Sequence, residues 1–366
     1  MDKSGSCDDG MKERIYICHT YYHVYVTFLK ELNLPGEKRG QASLVLSNLS
    51  IDFENLKQRV ESTGLFEAVY EFDEKRDTFF PELAKYRLNR GNLIANLWQR
   101  IVFTRKFAEA LAPYVPVDLR EYKDVYVYCD SDPIGFYLNK NHIRYHALED
   151  GLNCLKNYDA ARYDNRGNFW LKAFLSERLN LIFIQNGYGK YCIDMEVNDI
   201  SVLKYSYRKY IEQPRQQLVD RLTQEDKELI LQAFIRDMGT LQRQIRESEK
   251  VGDKILVLTD PLCTLEVRER IFRDIIAMYE PEGTVFLKPH PRDELNYREL
   301  FAGYPQFDAT VPMEMLNFFP GLRFKKVVGV LTEIKALKFA DETVRLGEEF
   351  MDRYETPAVH RQNEFI

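Results

Sequence analysis

The chain has 366 residues, with 51 Lys and Arg against 57 Asp and Glu, a net charge of −6 and 45% hydrophobic content. That length suits two domains, each able to bury a core of its own. The acidic balance argues against a protein that works by gripping nucleic acid, and 18 glycines leave little material for several glycine-rich phosphate loops.

From Ile15 onward, short apolar and β-branched runs alternate with segments of helical period, the pattern of a parallel sheet covered by helices. Strands are expected at 15–18, 43–47, 69–72, 125–129, 144–148 and 182–185. Helices fall between them, near 22–33, 53–63, 92–113, 133–139 and 168–178. The result is a doubly wound α/β domain over 11–186, preceded by a polar tail at 1–10. Over 187–213 the periodicity is poor and polar residues are frequent, so 187–223 is expected as a linker. A strong helical pattern resumes at 224–238 and extends towards 249. A second α/β series then follows, with strands at 254–259, 284–288 and 326–330 and helices at 265–279, 312–318 and 332–339. It makes up a second domain over 224–345, and 346–366 is a C-terminal helix and tail. The fold class expected is therefore α/β, with two Rossmann-like domains facing a cleft.

Six cysteines at 7, 18, 129, 154, 192 and 263 include no Cys-x-x-Cys pair. Neither a disulfide framework nor a zinc site is suggested, and a reducing cytoplasm is the expected location. No apolar run approaches the ~20 residues that span a bilayer, and the N-terminus has no signal-peptide pattern. Walker loops, dinucleotide fingerprints and Gly-x-Ser-x-Gly elbows are absent.

The most informative segment is Val285-Phe286-Leu287-Lys288-Pro289-His290-Pro291-Arg292-Asp293. A buried strand runs into a histidine held between two prolines, each of which fixes φ, with cations on both sides. Such a cluster suits a phosphate or a leaving group that develops negative charge; the alternative is a surface turn with solvated charges. A second strand ends in Tyr145-His146-Ala147-Leu148-Glu149-Asp150-Gly151. Adjacent carboxylates raise the pKa of at least one of them, as a general base for a hydroxyl requires. Asp150 reads also as a helix N-cap.

In this order and spacing the two segments resemble the paired motifs of bacterial sialyltransferases, and most nearly glycosyltransferase family 52, the lipooligosaccharide sialyltransferases. Ile15-Tyr16-Ile17-Cys18-His19-Thr20-Tyr21-Tyr22-His23 resembles that family's opening strand and turn. Thr259-Asp260-Pro261-Leu262 stands for its Thr-Gln-Pro-aromatic strand end, Val311-Pro312-Met313-Glu314 for its Pro-x-Glu, and Gly329-Val330-Leu331-Thr332 for its Gly-x-x-Ser-Thr. The resemblance implies a GT-B fold and an inverting, metal-independent transferase with no cofactor. Its donor is CMP-sialic acid and its acceptor a galactoside of a capsule or lipooligosaccharide. It also implies that His290 assists the departing phosphate, with Lys288 and Arg292 adding positive potential. Met313, Glu314, Gly329, Thr332 and Glu333 hold the nucleotide, Glu314 on the ribose and Thr332 at a helix N-terminus on the phosphate. Thr20, His23 and Glu149 line the acceptor side. The acceptor base is one of Asp150, Asp260 and Glu266, because Cys263-Thr264-Leu265-Glu266 departs from the family's pattern there. Thr332-Glu333 departs from its Ser-Thr, which leaves another nucleotide sugar, or a non-catalytic nucleotide-sugar-binding protein, as the alternative.

Two features stand outside that set. Asp130-Ser131-Asp132 imitates a metal-binding Asp-x-Asp, but Pro133 reads equally as a helix start capped by Asp132. The stretch 85–106 interleaves six basic residues with apolar ones. It suits peripheral contact with an anionic membrane, or else a core helix with a solvated face. A homodimer that exchanges elements near 187–238 is a further expectation from the resemblance.

Overall fold

The computed structural model describes residues 10–74, 80–128, 130–131, 133–151, 155, 159–250, 252–319, 321–332, 334 and 337–356. The chain divides into two compact units, Met1–Ala233 and Phe234–Ile366. In the first unit the elements run β1 (Lys12–Cys18), α1 (Tyr21–Leu32), β2 (Ala42–Ser47), α2 (Leu56–Ser62), β3 (Ala68–Phe72), α3 (Leu93–Leu111), β4 (Tyr122–Tyr128), α4 (Pro133–Lys140) and β5 (Tyr145–Leu148). After these come α5 (Ala160–Asp164), α6 (Phe169–Glu177), β6 (Cys192–Val197), β7 (Tyr210–Glu212) and α7 (Arg215–Asp220), and α8 (Gln224–Phe234) leads over the unit boundary.

Among the described residues the first sheet has seven strands in the order β3-β2-β1-β4-β5-β6-β7, all parallel. Ile15 to Cys18 are buried in its centre, as a strand covered on both faces must be. The strand order reverses between β1 and β4, and beyond the carboxyl ends of such a pair lies the crevice in which doubly wound sheets bind ligands. Gly135, in α4, has no room for a side chain: a Cβ there would stand 2.0 Å from the Asp130 carbonyl oxygen and 2.7 Å from Phe183.

The second unit contains α9 (Met238–Glu249), β8 (Lys254–Leu258), α10 (Leu265–Tyr279), β9 (Thr284–Lys288), α11 (Tyr297–Leu300), β10 (Phe324–Gly329), β11 (Ala340–Arg345) and α12 (Glu348–Met351). Its described strands form a parallel sheet in the order β11-β10-β8-β9. Helix α10 falls where its period places it, because Arg268, Ile271, Phe272, Ile275, Ile276 and Tyr279 make one buried stripe. Truncating Phe272 to Ala would cost about 3–5 kcal/mol. Phe350 and Met351 of α12 belong to this unit's own core.

Three expectations differ from the structure. The run 182–185 is not a strand. Ile182 and Ile184 are buried in a side cluster, and the Ile184 amide bonds the Ser176 hydroxyl at 3.1 Å instead of a ladder. Apolarity there marks burial, not pairing. The segment 187–223 is not a linker but carries β6, β7 and α7, and its polarity is that of a sheet edge, with Ile211 exposed. No described residue of 332–339 is helical; the chain turns there, the Lys338 amide bonds Asn317 at 2.9 Å, and β11 follows. The expectations for residues 1–9, Cys7, Cys129, Asp132, Cys154, Glu333 and 357–366 concern positions outside the described residues.

Candidate active site

At the reversal point of the first sheet, β1 delivers His19 and the N-terminus of α1. The Thr20 hydroxyl caps that helix by accepting the His23 amide at 3.2 Å; its side chain thus shapes the turn. The His19 amide donates to His23 Nδ1 at 3.0 Å. The neutral His23 ring therefore carries its proton on Nε2, and this atom donates to Asp150 Oδ1 at 2.6 Å and to the Asp150 carbonyl at 3.0 Å. His23 is fully buried and stacks on Tyr128 with centroids 4.4 Å apart. Burial lowers its pKa against the opposing pull of Asp150, which favours the neutral ring. The Asp150 side chain is 46% exposed, so a buried histidine orients a carboxylate that faces solvent.

Behind this pair stands a buried carboxylate that the sequence reading did not single out. Glu74 accepts from the Ser47 hydroxyl at 2.6 Å and from the Ile134 amide, in the first turn of α4, at 2.8 Å. It also pairs with His19 Nε2 at 2.9 Å. One side chain thus ties the carboxyl ends of β1 and β2 to α4. Nothing local in the sequence marks it, because its partners come from three distant segments.

Glu149 points elsewhere, accepting the Asn198 amide at 2.6 Å beyond β6. Burial pushes its carboxyl up to about 7. Asp130 is a structural acceptor for the amides of Asn186 (2.6 Å) and Gly187 (3.2 Å) and for the Tyr145 hydroxyl (3.2 Å). Those bonds occupy the carboxylate that an Asp-x-Asp metal site would need.

In the second unit β9 delivers the segment Lys288-Pro289-His290-Pro291. The Arg292 amide donates to His290 Nδ1 at 3.2 Å, so here too the neutral ring has its proton on Nε2. Burial, with the nearby charges of Arg292, Lys288 and Arg268, lowers the His290 pKa to about 4. The loop is pinned from below. The His290 amide donates to the Thr259 hydroxyl at 3.0 Å. Asp293 accepts from Arg268 (2.5 Å) and from the Tyr297 hydroxyl (2.8 Å). Arg268 also holds the carbonyls of Leu262 (2.6 Å) and Cys263 (3.0 Å). Arg268, which reads in sequence as one more charge on an amphipathic helix, is in fact a buried anchor.

Lys288 is buried too, and its ammonium donates to the carbonyls of Pro289 and Ala309, both at 3.0 Å. Burial lowers its pKa to about 8. Its first task is therefore to tie the His290 loop to the segment before Met313 and Glu314, which open a short 3-10 helix, Met313–Phe318. Burial raises the Glu314 carboxyl. Arg292 and Glu266 are exposed.

The turn after β10 corrects an expectation. Thr332 does not open a helix, and its groups are already engaged. Asp260, at the end of β8, accepts from the Thr332 hydroxyl at 2.5 Å and from the amides of Leu331 (3.1 Å) and Thr332 (3.3 Å). The carboxylate fills the place a phosphate would take on those amides, and burial pushes its pKa upward. Gly329 ends β10, where a Cβ would touch the Thr332 side chain at 3.4 Å.

The family model of glycosyltransferase family 52 matches residues 73–331, more than half of the chain. The chain belongs to glycosyltransferase family 52. An uncharacterized protein of Haemophilus influenzae (strain ATCC 51907 / DSM 11121 / KW20 / Rd) is 29% identical over 127 residues, which is 33% of this chain and 39% of that relative's length. Among solved structures, the α/β-galactoside α-2,3-sialyltransferase of the luminous marine bacterium Photobacterium phosphoreum superimposes with a TM-score of 0.50. It is 13% identical, and the match covers 90% of this chain and 88% of that one. The 2,6-sialyltransferase of Photobacterium sp. JT-ISH-224, crystallised with the donor product CMP and the acceptor substrate lactose, gives a TM-score of 0.56 at 13% identity, over 93% of this chain and 74% of that one. At that identity the likeness concerns the fold, two Rossmann-like units of the GT-B class.

Proposed function

We propose that this family 52 member is an inverting sialyltransferase that moves sialic acid from CMP-sialic acid to a galactoside of a bacterial capsule or lipooligosaccharide, at the cytoplasmic side and without a metal. The observation that carries the reading is the His23–Asp150 pair, a histidine with a fixed tautomer that orients a solvent-facing carboxylate at a strand end. In this reading Asp150 takes the proton of the acceptor hydroxyl and His23 holds it in position. The second unit serves the donor. His290 offers an Nε2 proton to the departing phosphate, and Arg292 adds positive charge beside it. Family membership supports glycosyl transfer, and the Photobacterium sp. JT-ISH-224 enzyme, bound to CMP and lactose, supports the choice of donor and acceptor class.

One observation favours a second reading, transfer from another nucleotide sugar. The amides and hydroxyl at Leu331 and Thr332 are engaged by Asp260, so a donor phosphate has to be held by other groups. The test is to incubate the protein with CMP-sialic acid and lactose, with and without EDTA, and follow CMP release. Thermal shifts with CMP, UDP and GDP run beside it. CMP release that EDTA does not change is expected, together with a rise in Tm for CMP alone. No release, with stabilisation by UDP or GDP instead, transfers the assignment to the second reading.

A further inference from the structure

Glu74 is fully buried, and a carboxylate in that position needs a reason. The Ser47 hydroxyl donates to Oε2 at 2.6 Å and the Ile134 amide to Oε1 at 2.8 Å. His19 Nε2 stands 2.9 Å from the oxygen that Ser47 reaches. An ionised carboxylate only accepts, so His19 has to carry a proton on Nε2. Ile134 lies in the first turn of α4, where the positive end of the helix dipole adds to the hold on Glu74.

The residue that Glu74 grips by its ring also sets the tautomer of the next histidine. The His19 amide donates to His23 Nδ1 at 3.0 Å, and His23 Nε2 donates to Asp150 Oδ1 at 2.6 Å. A line of hydrogen bonds therefore runs from Glu74 through His19 and His23 to Asp150. Glu74, His19 and His23 are all sealed from water, and the two imidazole rings meet edge to face with centroids 6.0 Å apart. In such a low-dielectric chain a change at one end is felt along it. Without its anchor on Glu74, His19 can tilt and draw its amide away from His23. The His23 ring could then carry its proton on Nδ1, and Nε2 would turn a lone pair towards Asp150 Oδ1, an acceptor against an acceptor.

We infer that Glu74 is a positioning residue: by fixing His19 it fixes the Nε2–H tautomer of His23, and through that ring the direction of the Asp150 carboxylate. Its effect on turnover rests on the reading of Asp150 as the base, whereas its effect on the His23 ring does not. The test uses the full chain, isotope-labelled at the ring nitrogens of its six histidines and recorded by NMR. The His23 signals are assigned by their loss in His23→Gln. The wild type should show a protonated Nε2 and a bare Nδ1. Glu74→Gln keeps the size but sets an amide donor where the carboxylate accepted, and it should lose that pattern. It should also lower kcat on CMP-sialic acid and lactose roughly 10- to 100-fold, with KM values within about twofold. Ser47→Ala takes one donor from Glu74 and leaves both histidines and Asp150 in place. It should give the same changes in smaller measure, and it decides the matter if Glu74→Gln does not fold. A merely structural Glu74 would lower the melting temperature and leave the His23 signature and kcat as they are, and that result overturns the inference. A chain that releases no CMP, yet loses the His23 signature in Glu74→Gln, supports the inference while it removes the reading of Asp150.

Discussion

Two histidines stand beyond strand ends in the two units, His23 in the first turn of α1 and His290 just after β9, and they are prepared in opposite ways. Both accept a backbone amide at Nδ1, from His19 for His23 and from Arg292 for His290, so both present a proton at Nε2. His23 gives that proton to a carboxylate and is sealed from water. His290 sits among Arg292, Lys288 and Arg268, which together with burial keep it uncharged. The same tautomer thus serves two ends. Beside a carboxylate it orients that group, and among cations it is a neutral donor in a field that favours an anion.

Breaking the first arrangement should have the largest effect. Asp150→Asn is expected to lower kcat by roughly 10²–10⁴-fold with little change in the KM for the donor. Steady-state kinetics on CMP-sialic acid and lactose measure it, and a loss below about tenfold would take the base role away from Asp150. His290→Ala should cost about 10²-fold in kcat, and His290→Gln, which keeps a donor, should recover part of that. Equal losses for the two would mean that the ring and not its proton matters.

The third prediction separates Asp260 from Asp150. Asp260→Ala leaves the Thr332 hydroxyl and two amides without their acceptor, which should cost about 1–3 kcal/mol in urea denaturation of the second unit. Asp150→Asn should leave stability unchanged. Full stability in the Asp260 variant alongside lost turnover would make Asp260 the base.

An effect of similar size concerns pH. His290 has a folded pKa of about 4 against about 6.5 when unfolded, so the unfolded chain binds its proton first. The stability linked to it is complete above pH 6.5 and is lost as pH falls towards 4. That loss is roughly 2–3 kcal/mol once partial exposure is allowed for. Denaturation of the wild type and of His290→Gln across that window should converge as the pH drops. Parallel curves would show that the ring is not held neutral.

The elements with strong periodicity are legible in the sequence alone. Helix α10 and strand β9 fall on the expected residues, because their burial patterns are local properties of the chain. Runs whose polarity has a tertiary cause were not legible. The run 182–185 is apolar because it is covered, and the β6–β7 stretch is polar because it forms an edge. The site was legible as a set of strand ends. Glu74, Arg268 and Asp293 were invisible as its supports, since each owes its place to partners 25 to 60 residues away.

What the sequence determined by itself is the α/β class and the identity of the strand-end motifs, because hydrophobic period and proline constraint act over a few residues. Only the tertiary structure decided which motif residues face outward and which are held inside. Asp150 is oriented by a histidine 127 positions away, while Asp260 spends its carboxylate on a turn 72 positions away. A carboxylate's role depends on which donors the fold brings to it, and spacing along the chain carries no record of that.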